Sequence, residues 1–95
     1  MTAPEITISE TLALYRENAV RTADAHAPDA FKWAYQLHSY FKELRESEEG
    51  RRGLSAMMSD SDAQVRRWAA VHCMGWEREK ARAALGALAS GAQTD

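Results

Sequence analysis

One cysteine, Cys73, occurs among 95 residues, so no internal disulfide can form. That fits a reducing compartment. Cys73 falls inside an apolar helical pattern and reads as a small buried hydrophobe, not a nucleophile. Proline occurs only at positions 4 and 28, which leaves long stretches free of its helix-breaking geometry. No apolar run approaches the roughly 20 residues of a membrane span. The start, MTAPEITISE, carries an early acid and no long apolar segment, so no signal peptide is expected. The expectation is a cytoplasmic protein that makes no use of a membrane. Glycine-rich phosphate loops, HExxH pairs and nucleophile elbows are also missing. The sequence therefore predicts no enzyme, no cofactor and no metal.

Charge of one sign is lacking too. The net charge is −2, and the overall balance shows no basic excess of the kind that phosphate neutralisation needs. The distribution is uneven, however. Residues 1–30 hold Glu5, Glu10, Glu17, Asp24 and Asp29 against Arg16 and Arg21. Residues 63–95 hold Arg66, Arg67, Arg78, Lys80 and Arg82 against Glu77, Glu79 and Asp95. Such a dipolar surface steers charged partners, although solvated helix faces are the simpler account of it.

What is present favours helix. Helix formers dominate and no segment alternates strictly between apolar and polar, so the chain reads as all-α with about five helices. A single domain over residues 1–90 and a frayed tail at 91–95 are expected. The first helix begins near Glu5 to Thr7: Thr7 and Glu10 have capping-box spacing, as do Thr2 and Glu5, so the exact start is open. Ile8, Leu12, Tyr15, Ala19 and Ala23 make its buried stripe, and Pro28 predicts a stop near His26. The second helix starts around Pro28. Trp33, Leu37, Tyr40 and Leu44 form one row on it, and Phe31, Ala34, Tyr35, His38 and Phe41 form another. An apolar arc that wide packs on more than one neighbour, which predicts a central position. RESEEGRRG reads as a break, with Gly50 and Gly53 allowing a turn. A short helix then carries Leu54, Met57 and Met58. SDSD, from Ser59 to Asp62, caps a fourth helix through Val65, Trp68, Ala69, His72, Cys73 and Trp76. Gly75 is a plausible stop, and Glu77 and Glu79 open a fifth helix with Ala81, Ala84, Leu85 and Leu88.

From Leu54 to Ala70 the pattern resembles a HEAT-type repeat. Leu54, Met57–Met58, Asp60, Asp62, Val65–Arg66 and Ala69–Ala70 carry the resemblance. More widely, Lys32, Ala34, Tyr35, His38, Phe41, the run Lys42 to Arg45, Arg51–Arg52, Trp68–Ala69–Ala70 and His72 follow an order similar to that of a small bacterial single-domain family of unknown function. The resemblance implies a HEAT-like helical stack and, in the repeat, an Arg66 that pairs with an aspartate of the turn or of a neighbouring unit. It implies no catalytic residue. Trp76 and Met58 stand where aliphatic residues are expected.

Candidate sites follow from the remaining polar groups. His38 and His72 lie on largely apolar faces of helices able to touch, and the expectation is hydrogen-bonded packing. Arg51 and Arg52 precede the expected third helix, an unfavourable place for positive charge. With Lys32, Trp33, Arg67, Trp68 and His72 they form a candidate partner-binding rim, because arginine and aromatics are enriched at hot spots. Salt bridges to Glu46, Glu48 and Glu49 are the plainer reading of the two arginines. The leading expectation is a non-catalytic module that binds another protein, in one form an immunity or inhibitor protein that plugs a toxin or enzyme. The alternative is nucleic-acid binding in a basic groove through Arg51, Arg52, Arg67, Arg78 and Arg82, the less favoured partner. A weak homodimer is a further expectation, since stacked helices leave uncovered ends.

Overall fold

The structure, a computed structural model, describes residues 7–23 and 27–90. Among them are five α-helices and one 3-10 turn: α1 (Ile8–Arg21), α2 (Ala27–Leu44), α3 (Glu48–Ala56), the turn Met57–Ser59, α4 (Ala63–Cys73) and α5 (Arg78–Ser90). The protein is all-α. No described helix is long and apolar enough to cross a membrane.

α1 opens on the capping box. The Glu10 N–H donates to Thr7 Oγ1 at 3.1 Å and the Thr7 N–H donates to Glu10 Oε1 at 2.9 Å, which satisfies two otherwise free donors. Tyr15 and Ala19 are buried as the stripe requires, with Thr11 and Asn18 beside them. The helix ends at Arg21, before the expected stop. Thr22 donates its hydroxyl back to the Ala19 carbonyl at 2.7 Å, and its N–H tightens the last turn. Ala23 is consequently exposed. The stop expected at His26 and the tail at 91–95 lie outside the described residues.

α2 departs from expectation. One row is buried through Leu37 and Leu44, with Phe41 beside it. The row to which Phe41 belongs is not buried at its start: Phe31 is 81% exposed and Tyr35 75%. The reason is position. α2 packs chiefly on α1 and less on α3 and reaches α4 through side chains such as Phe41, which leaves its outer face at the edge of the fold, and α4 is the central element, touching α1, α3, α5 and the 3-10 turn. Small residues allow this. Ala69 and Ala70 have no exposed surface, and neither do Val65 and Cys73.

The expected break at RESEEGRRG is mostly helix. Ser47 caps α3 by accepting the Gly50 N–H at 3.0 Å, and both glycines lie inside the helix. They serve close packing instead of turning. A Cβ on Gly50 would fall on the Leu44 carbonyl, and one on Gly53 would strike the Leu12 side chain. The Asp60–Asp62 turn is built as expected. Asp62 Oδ1 accepts the N–H groups of Gln64 at 2.8 Å and Val65 at 3.2 Å. α4 then runs to a turn at Met74–Trp76 that contains Gly75, and the Glu77 carbonyl accepts the first bond of α5 from Ala81 at 2.9 Å.

Candidate functional site: an aromatic–imidazole cluster and its charged margins

α1 lies beneath the space between α2 and α4, and long side chains fill that space. Tyr15, pointing up from α1, meets His72 of α4, with Oη 2.6 Å from Nδ1. The Phe41 ring of α2 stacks on the imidazole at 4.2 Å and 8°. His38 lies 5.9 Å from His72 on one side and Trp68 5.9 Å on another. Trp76 continues the stack beyond Phe41 at 6.2 Å. The two histidines therefore do converge, as the sequence suggested.

Burial sets the protonation of this cluster. It lowers the His72 pKa to about 4, with His38 adding a smaller push in the same direction. Burial also raises the Tyr15 phenol far above its ordinary value, with Cys73 a lesser cause. Both groups are neutral at pH 7. The buried phenol needs an acceptor, and the Nδ1 lone pair supplies it, so Tyr15 donates and His72 carries its proton on Nε2. Burial pushes the Cys73 thiol up to about 11, against a lowering contribution from Ser55, which leaves it protonated and inert. Among the described residues no group of three or more His, Cys, Asp or Glu is placed to hold a metal ion.

Trp68 joins this cluster from the other direction. Its Nε1 donates to Thr22 Oγ1 at 3.0 Å, which anchors α4 to the end of α1. Arg67, next to it, is exposed and donates to Gln64 Oε1 at 2.7 Å. Lys32 and Trp33 belong to a separate place on α2. The Arg21 guanidinium lies 4.9 Å from the Trp33 ring centre and Lys32 Nζ lies 5.2 Å from it.

Arg51 and Arg52 sit inside α3, not before it, so the argument from an unfavourable dipole fails. Arg52 pairs with Glu48 at 2.8 Å, one turn away. Arg51 donates to the Arg45 carbonyl at 2.7 Å and so satisfies the end of α2. Both line a depression of ≈ 360 Å³ between α3 and α5, with Trp76, Glu48, Glu77 and Lys80. The proposed rim is thus three places: Trp68 and His72 in the cluster, Arg51 and Arg52 at the α3–α5 depression, and Lys32 with Trp33 on α2. Arg67 joins none of them.

Arg66 differs from the repeat pattern as well. It donates to the Asp60 carbonyl at 2.7 Å, while the Asp60 carboxylate is held by Arg16 of α1 in a two-pronged pair at 2.8 and 2.9 Å. Hydrogen bonding from Arg16 keeps Asp60 below the usual carboxylate range. No sequence spacing announces that partner, since Arg16 looked like part of a solvated face. The exposed ridge of Phe31 and Tyr35 was visible in the sequence, but its apolar character read as core.

No protein-family model, curated protein or solved structure matches this chain.

Proposed function

We propose that the chain is a helical interaction module that docks a helix of a protein partner along the outer ridge of α2. The observation that carries this reading is the exposure of Phe31 and Tyr35, 81% and 75%, side by side on one helix face. Large aromatics left in water next to each other are characteristic of interaction surfaces. His38 and Lys42 continue the same face, also exposed. A neighbouring helix can read such a ridge at successive turns.

Supporting this over nucleic-acid binding, the cations of the α3–α5 depression are mixed with acids and Arg67 is already engaged. Arg51, Arg52 and Lys80 share their depression with Glu48 and Glu77, and Arg67 is tied to Gln64. The HEAT-like reading draws support from the capped Asp62 turn and the buried Ala69–Ala70 pair. The neutral, buried Cys73 suits a cytoplasmic setting. An immunity or inhibitor role is the concrete form of the proposal, supported by the uneven charge along the chain. In a pull-down at low salt from the native host, wild-type protein is expected to retain a partner that the Phe31→Ser/Tyr35→Ser variant loses. Equal recovery by both would overturn the reading.

A further inference from the structure

Five residues form the crest of the α2 ridge: Phe31, Tyr35, His38, Lys42 and Arg45. They step by four, three, four and three, the spacing of a coiled-coil seam. Arg45 lies just past the helix but keeps its track, because its N–H still donates to the Phe41 carbonyl at 2.9 Å. All five are exposed. The seam is sorted by chemistry, with aromatics at its start, cations at its end, an imidazole between them and no acid.

Building on the reading of this ridge as an interface, we propose that the helix it takes is α2 of a second copy, antiparallel, with His38 at the two-fold axis. This arrangement sets Phe31 against Arg45 of the second copy and Tyr35 against Lys42 of the second copy. Each cation then faces an aromatic ring, and symmetry repeats both pairs. A parallel pairing would instead stack Lys42 on Lys42 and Arg45 on Arg45, and like charges exclude it. The chain already uses the same contact internally: Arg21 lies 4.9 Å from the Trp33 ring centre, and Arg45 5.4 Å from that of Phe41. A single helix pair is a small interface beside the ~1,200–2,000 Å² of stable complexes, so the dimer is weak.

Sedimentation equilibrium on the full chain between roughly 5 and 500 µM tests this. The mass is expected to rise from 10.6 kDa toward twice that value. Tyr35→Lys opposes Lys42 of the second copy and is expected to weaken the dimer by at least about tenfold. Tyr35→Glu faces the same lysine and is expected to keep the dimer at low salt and lose it at high salt, an outcome that general stickiness would not give. Under mild oxidation His38→Cys is expected to cross-link, while Phe31→Cys, far from its own copy in this register, does not. A monomer at every concentration overturns the proposal, as does equal cross-linking of the two cysteine variants. A monomer whose ridge still retains a different protein removes self-pairing and leaves the interaction module standing. A dimer without any other partner does the reverse.

Discussion

Tyr15 and His72, 57 positions apart, meet through a 2.6 Å hydrogen bond in which a buried phenol faces a neutral imidazole. This contact ties α1 to α4. Replacing His72 with Phe keeps an aromatic group under Phe41 but leaves the phenol without its acceptor. The variant is expected to lose about 1–3 kcal/mol. Adding Tyr15→Phe removes the stranded hydroxyl and is expected to restore much of the loss. Urea unfolding of the two single variants and the double variant gives the coupling energy, and purely additive losses would show that the pair is not coupled.

The same pair makes stability sensitive to mild acid. The unfolded chain takes a proton on His72 near its ordinary value of 6.5, whereas the folded protein resists until about 4. Protonation therefore favours unfolding. The stabilisation is complete above pH 6.5 and is lost as pH falls toward 4, on the order of 2 kcal/mol after allowing for the partial exposure of the ring. Thermal melts across that range are expected to show the decline in wild type and a flatter profile in His72→Phe. An unchanged profile in the variant would place the acid sensitivity elsewhere.

Arg16 and Asp60 act in a lower window. The pair holds Asp60 below the usual carboxylate range, so its stabilisation is present above the unfolded value near 3.8 and disappears as pH falls through the folded value. At neutral pH, Arg16→Lys loses the two-pronged geometry. It is expected to destabilise only modestly, because Arg16 is 44% exposed. Chemical denaturation at pH 7 measures it.

One substitution is expected to act with opposite signs at two glycines. Gly86 lies in α5 with nothing near a new Cβ, so Gly86→Ala is expected to stabilise by up to ~1 kcal/mol through helix propensity. At Gly50 the same methyl meets the Leu44 backbone, and a loss of about 2 kcal/mol or more is expected. Melting temperatures of the two variants decide this, and a stable Gly50→Ala would mean that the α2–α3 corner yields.

Asn18 offers a stabilising change. Its Nδ2 donates to the Leu14 carbonyl at 2.8 Å, while its buried Oδ1 has no described partner. Replacement by Leu, of the same branched shape, is expected to raise stability by about 0.5–1 kcal/mol, because an unsatisfied acceptor is removed. Lower stability in equilibrium unfolding would show that the amide is better served than its geometry indicates.

Local signals in the sequence were legible where neighbours along the chain make the structure. The Thr7–Glu10 box, the Asp62 cap and the alanines of α4 all formed as their spacing dictates. Most misreadings came from long-range packing. The apolar arc of α2 shows that the helix has much to cover, but not that its neighbours leave Phe31 and Tyr35 outside. Gly50 and Gly53 look like a hinge in a charged segment, because the atoms that demand their smallness belong to Leu44 and Leu12. Arg51 and Arg52 lie inside α3 for a local reason, the Ser47 cap that starts the helix before them. At the cluster, the meeting of His38 and His72 could be anticipated from their apolar faces, but the Tyr15 hydroxyl that fixes the tautomer could not.

The bond from Trp68 to Thr22 has a kinetic consequence. It joins residues 46 apart, and the Arg16–Asp60 pair joins residues 44 apart. α5, in contrast, packs chiefly on α4, its neighbour along the chain. Bringing α1 onto α4 closes a long loop before any contact compensates for the lost chain entropy, so this docking is expected to set the folding rate. Substitutions at Arg16 or Trp68 should slow refolding, while those along α5 should mainly hasten unfolding.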